Sequence, residues 1–103
     1  MANEFIASNN SVILDTTFTD ADTFFKVLGS GLHLNRAPHL KVKKIEWTNP
    51  AGDLEIQDRT SKVIFFRNAP AEDAEYLFDD GVWWRKGFKL TILGGGKATI
   101  YFY

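Results

Sequence analysis

A few clusters in the chain have residue types that could do chemistry. His33 and His39 stand six apart; a zinc site needs further ligands at close spacing, and neither a Cys pair nor a His-x-x-x-His motif accompanies them. Asp20-Ala21-Asp22 and Asp79-Asp80-Gly81 superficially resemble calcium loops, but the later ligands and the closing Glu are missing. They read as turn-forming aspartates. Gly94-Gly95-Gly96-Lys97 resembles a phosphate cradle, which works only when it opens a helix whose amides face the anion. Here an alternating stretch follows, so a hairpin loop is expected. No serine sits in a nucleophile-elbow context, and no titratable groups converge in sequence. The residues therefore suggest a non-enzymatic protein with no catalytic residue, no cofactor and no metal.

Two clusters are left. Lys41, Lys43 and Lys44 form a basic patch followed by Glu46, without the interleaved aromatic motif of a single-strand-binding platform. A solvated strand face is the simpler reading. Val82-Trp83-Trp84-Arg85 is more informative: neighbours on a strand face opposite ways, so if one Trp enters the core the other faces out. An outward Trp beside Arg85 suits an interface anchor or a sugar-stacking platform. The interface candidates are Trp83, Trp84, Arg85, Tyr101 and Tyr103.

The elements that would position these residues are mostly strands. Leu40 and Val42 alternate with lysines, then Ile45 and Trp47 alternate with Lys44 and Glu46. The shift of parity at Lys43-Lys44 is the mark of a β-bulge. Asn49 to Gly52 is turn chemistry, Leu54 and Ile56 alternate in the next strand, and Asp58 to Ser61 turns again. The run within Lys62 to Arg67 suggests a strand covered on both faces. Tyr76-Leu77-Phe78 reads as a short strand ended by Asp79-Asp80-Gly81. Phe88 to Ile92 and Lys97 to Phe102 alternate on either side of the glycines. Nearer the start, Ser11 to Thr17 reads as a strand after a loose arm over residues 1–10. Thr19 to Leu28 fits either a short helix capped by Thr19 or Asp20, or a strand over Thr23–Val27. Its β-branched and aromatic content favours the strand. Gly29-Ser30-Gly31 then reads as a turn and Asn35 to Pro38 as a connection. The expectation is one domain spanning 1–103, an antiparallel all-β sandwich of jelly-roll or Greek-key type with at most one short helix.

Composition sets the outer limits. A chain of 103 residues with 12 Lys+Arg against 13 Asp+Glu offers no broad basic field, which disfavours nucleic acid. Without cysteine it has no disulfide, and no apolar run reaches the roughly 18 residues of a membrane span. The start, Met-Ala-Asn-Glu, lacks a signal-peptide pattern, so synthesis and assembly in a reducing cytoplasm are expected. Nine Phe, three Tyr and three Trp are more than a small core is expected to hide. Interfaces enrich such residues, which suggests self-association.

The run Val42-Lys43-Lys44-Ile45-Glu46-Trp47, then Asn49, Gly52-Asp53, Asp58 and Lys62-Val63-Ile64-Phe65, resembles small β-sandwich virion proteins of tailed phages. The ending is similar too: Trp84, Gly87-Phe88-Lys89-Leu90-Thr91, Leu93, Gly95 or Gly96, and Ile100-Tyr101. The resemblance covers Leu40 to Tyr103 and implies a structural piece of the particle, such as a head-decoration (cement) protein. It further implies location in the virion, a homo-oligomer (a trimer is expected), and attachment to the major capsid protein or another virion protein. The competing expectation is a carbohydrate- or receptor-binding module using Trp83 or Trp84.

Overall fold

The computed structural model describes residues 3–32 and 38–103. Eight strands and one α-helix follow in order, with a single 3-10 turn at Ala7–Asn9 between the first two strands: β1 (Glu4–Ile6), β2 (Ser11–Leu14), α1 (Ala21–Leu32), β3 (Leu40–Thr48), β4 (Leu54–Asp58), β5 (Ile64–Asn68), β6 (Ala74–Trp84), β7 (Phe88–Leu93) and β8 (Lys97–Phe102). They form two antiparallel sheets, one ordered β1-β2-β8-β3-β6 and the other β5-β4-β7. The fold is the expected all-β sandwich with one short helix. Alternate residues of each strand face the layer between the sheets, where Val42, Ile45, Trp47, Leu54, Ile56, Trp84, Phe88, Leu90 and Ile100 are buried. Among the described residues no helix is long and apolar enough to cross a membrane.

The alternation of β3 and β8 reads true, bulge included, whereas in β7 a register shift after Leu90 leaves Ile92 exposed instead of inward with Phe88 and Leu90. Val42 faces Phe102 and Lys44 faces Tyr101, so Lys43 has no partner in register. β8 lies between β2 and β3, with Ile100 opposite Val12 on one side and Ile45 on the other.

Five local expectations are corrected. Residues 21–32 are helix rather than strand and turn. Asp20 caps it: its Oδ1 accepts the Thr23 amide at 3.1 Å and its Oδ2 the Thr23 hydroxyl at 2.9 Å. Ala21 and Phe25 are buried, with Phe24 and Leu28 packed against the core, which is an i, i+3, i+4, i+7 stripe. Phe24 stacks on Phe18 at 3.7 Å between ring centroids, and Phe25 meets Phe88 edge-on. Tertiary burial of that stripe outweighs the β preference of its residues.

Residues 3–10 are not a loose arm. β1 pairs with β2, and the Asn3 side chain accepts the Asp15 amide at 2.9 Å. β5 is an edge strand with Ile64 exposed, not one covered on both faces. β6 continues through Asp79-Asp80-Gly81, which form a wide bulge: Val82 pairs with Val42 and Leu77 with Lys44, leaving Phe78 to Gly81 against Lys43 alone. Lastly, Gly94-Gly95-Gly96 is no hairpin, because β7 and β8 belong to different sheets. The glycines carry the chain across the sandwich. Gly94 donates to the Asp53 carbonyl at 2.7 Å and accepts the Ala51 amide at 2.6 Å. Any Cβ on Gly94 would lie 2.7 Å from Gly52 Cα, so this crossing requires bare backbone. His33 and the connection at 35–37 lie outside the described residues.

Candidate binding face

Trp83 and Trp84 divide as strand geometry requires. Trp84 is 1% exposed, stacked on Phe65 and edge-on to Phe88. Trp83 is 51% exposed on the outer side of the five-stranded sheet. Trp84 is thereby removed from the interface candidates: its ring is committed to the core.

Around Trp83 the outer face brings together residues that lie far apart in the chain. β3 pairs with both β6 and β8, which sets Lys41 opposite Trp83 and beside Tyr103. The Lys41 ammonium stands 5.9 Å from the Trp83 ring centre and 5.1 Å from that of Tyr103. Lys43, turned outward at the bulge, lies 5.7 Å from Tyr103, and the Arg85 guanidinium is 5.5 Å from Trp83. These are cation–π distances. Tyr103 is tied down by its amide, which donates to the Lys41 carbonyl at 3.0 Å, and by its hydroxyl, which donates to the Asp79 carbonyl at 3.3 Å. Gly81 makes room for the cluster. It has φ +75, and a Cβ there would lie 2.7 Å from Lys41 Cε and 2.9 Å from Tyr103 Cε2.

Further along the same face the charges cancel. Lys44 pairs with Glu46 at 3.1 Å and Glu75 at 3.6 Å, and its ammonium lies 4.6 Å from the Tyr101 ring. A hydrogen bond with Tyr101 and then one with Lys44 hold the Glu46 carboxyl below its ordinary pKa. The Glu46 bond and then burial push the Tyr101 phenol up, and its bond to Glu46 raises Lys44. By contrast Lys41, Lys43 and Arg85 have no carboxylate partner among the described residues.

In the sequence the lysines look like a solvated strand face without aromatic interleaving. The interleaving exists, but three strands supply it. Tyr103 and Tyr101 lie on this face; Tyr101 is half-buried in the Glu46–Lys44 group. The aromatic surplus is mostly absorbed by the fold: of fifteen rings only Trp83 and Tyr103 are exposed.

Elsewhere the polar groups serve the fold. Glu55 is buried on the outer side of the three-stranded sheet, its carboxylate bonded by Gln57 at 2.7 Å and Thr91 at 2.9 Å and paired with Arg67 at 3.5 Å. The His39 ring nitrogen Nδ1 accepts the Lys86 amide at 3.0 Å and shapes the turn after β6. An apolar groove of about 370 Å³ runs beside α1 between Phe18, Phe24 and Leu28. Among the described residues no three His, Cys, Asp or Glu side chains converge on a metal position. Comparison of the chain with protein-family models, curated proteins and solved structures gives no match.

Proposed function

We propose that the chain is a non-enzymatic structural protein of a tailed-phage virion, a decoration-type protein that attaches as a homo-oligomer to an assembled shell. The observation that carries this reading is the Trp83–Lys41–Tyr103–Arg85 cluster: exposed rings on a paired sheet, with cations already laid over them. Exposed aromatic and Arg side chains on rigid elements are the usual energetic centres of protein interfaces. The kind of particle is taken from the sequence pattern of Leu40–Tyr103 alone, which resembles that of phage virion proteins. The glycan-platform alternative has the exposed Trp83 ring in its favour, but the cations Lys41 and Arg85 beside the ring favour a charged partner over a neutral sugar.

Light scattering of the purified chain, together with co-sedimentation on shells of the phage that encodes it, tests the reading. Saturable attachment and a defined oligomer are expected, with Trp83→Ala weakening attachment by roughly 30-fold, the size of a hot-spot loss. A chain that stays monomeric at high micromolar concentration and ignores shells would overturn it.

A further inference from the structure

We infer that the Trp83–Tyr103 end of this face seats a short acidic polypeptide segment of the partner, with carboxylates on Lys41, Lys43 and Arg85 and an apolar side chain against Trp83. The inference rests on the proposal that this is the attachment face, and it names the chemistry that the face accepts.

Charge complementarity is the first argument. The five-stranded sheet neutralises Lys44 with two carboxylates but leaves Lys41, Lys43 and Arg85 without one among the described residues. All three are instead held against rings. A ring restrains a long cationic side chain without cancelling its charge, so part of the ordering entropy of binding is met before a partner arrives. Such a site is preorganised for an anion.

The second argument is extent. A nucleic-acid strand needs a basic track that follows its backbone over several nucleotides. Here the basic track stops at the bulge that carries Asp79 and Asp80, and beyond the bulge Lys44 is neutralised by Glu46 and Glu75. What is left is the short run Lys43, Lys41 and Arg85, enough for a short anionic segment. Its apolar contacts would be Trp83 and, past the bulge on the same strand, Leu77, which is 64% exposed. A polypeptide that interleaves acidic and apolar side chains can use both the cations and these exposed apolar groups; a uniform polyanion can use only the cations. A second copy of the chain docking this face onto itself about a two-fold would oppose like charges, which disfavours the symmetric pairing.

The test uses Trp83 as its own reporter, because Trp47 and Trp84 are both fully buried. The intact chain is titrated with a capped hexapeptide of alternating glutamate and leucine, with its glutamine counterpart, and with a ten-residue oligothymidylate, while tryptophan emission is followed. The acidic peptide should saturate the signal and weaken as salt rises, and the glutamine peptide should bind at least 10-fold more weakly. The double reversal Lys41→Glu/Lys43→Glu should weaken the acidic peptide more than 10-fold, while Lys26→Glu on α1 leaves it unchanged. Arg85→Gln, in the turn beyond β6, serves as a second variant should the double reversal not fold. Equal binding of the two peptides, no binding up to millimolar concentration, or tighter binding of oligothymidylate would overturn the inference. Shells separate the two proposals. If shells bind the charge-reversed chain as well as the parent, attachment stands and the acidic-segment inference falls. If the peptide binds as expected but shells do not, the acid-binding face stands and the decoration reading falls.

Discussion

The indole nitrogen of Trp47 donates to the Gly95 carbonyl at 3.1 Å, joining a fully buried ring on β3 to the glycine crossing between the two sheets. A buried indole N–H needs such a partner. The bond ties the path of residues 94–96 to the centre of the core.

Gly96 is the least replaceable residue of that crossing. It has φ +65, and a Cβ there would stand 1.9 Å from the Thr48 carbonyl oxygen, a clash with backbone rather than with a movable side chain. Gly96→Ala is expected to cost about 3 kcal/mol, in the range of strained backbone plus overpacking. At Gly95 the Cβ would meet the Ala51 side chain at 2.9 Å. Gly95→Ala should cost roughly 1 kcal/mol, the common size of a point-mutation loss. Urea denaturation midpoints at constant slope check both values, and equal losses would contradict the geometry.

The two adjacent tryptophans should behave oppositely. Trp84→Ala removes a ring that packs on Phe65 and Phe88 and should destabilise by about 4 kcal/mol. Trp83→Ala should change stability by about 1 kcal/mol or less, as expected of a surface position. Emission spectra give a second check, since only Trp83→Ala should remove the solvent-exposed component.

Acid should destabilise the fold through identifiable carboxylates. The Thr23 amide and then its hydroxyl lower the pKa of Asp20; the Thr60 hydroxyl and then the Val63 amide lower that of Asp58. Glu46 is lowered by Tyr101 and then Lys44. Each binds its proton more weakly folded than unfolded. Their stabilisation is therefore present above the unfolded carboxylate range and is lost as pH falls through the lowered folded values. At the other end, Lys44 and Tyr101 have raised values. The unfolded chain releases those protons first, so stability falls as pH rises through that range. Thermal melts against pH should show a plateau between the two, and Asp20→Asn with Asp58→Asn should flatten the acid limb. An unchanged acid limb in the double variant would contradict this assignment.

Removing residues 100–103 should abolish folding. Ile100 pairs with Val12 and Ile45 on opposite sides, so the deletion removes half of the pairing by which β8 joins β2 to β3. The Tyr103 amide and hydroxyl bonds go with it. A cooperative thermal transition at the parent temperature in the shortened chain would refute the role of β8.

By itself the sequence determined whatever depends on local backbone geometry. Side chains alternate along an extended chain because successive Cβ atoms point to opposite faces. For that reason the inward set of β3 and β8, the parity shift at Lys43-Lys44, and the division of Trp83 from Trp84 were all legible. Contacts between distant segments decided the rest. The Asp20 cap was legible, but residues 21–32 are helical because Phe18 and Phe88 receive the stripe of Phe24 and Phe25, and Phe88 is far away in the chain. The glycines cross between sheets because Thr48, Gly52 and Asp53 lie where only bare backbone fits. The candidate face is likewise tertiary: Lys41 of β3, Trp83 of β6 and Tyr103 just after β8 meet only through the pairing of β3 with β6 and β8. Alternation says which way a side chain points. Strand order, set by packing across the whole sandwich, says what it meets there.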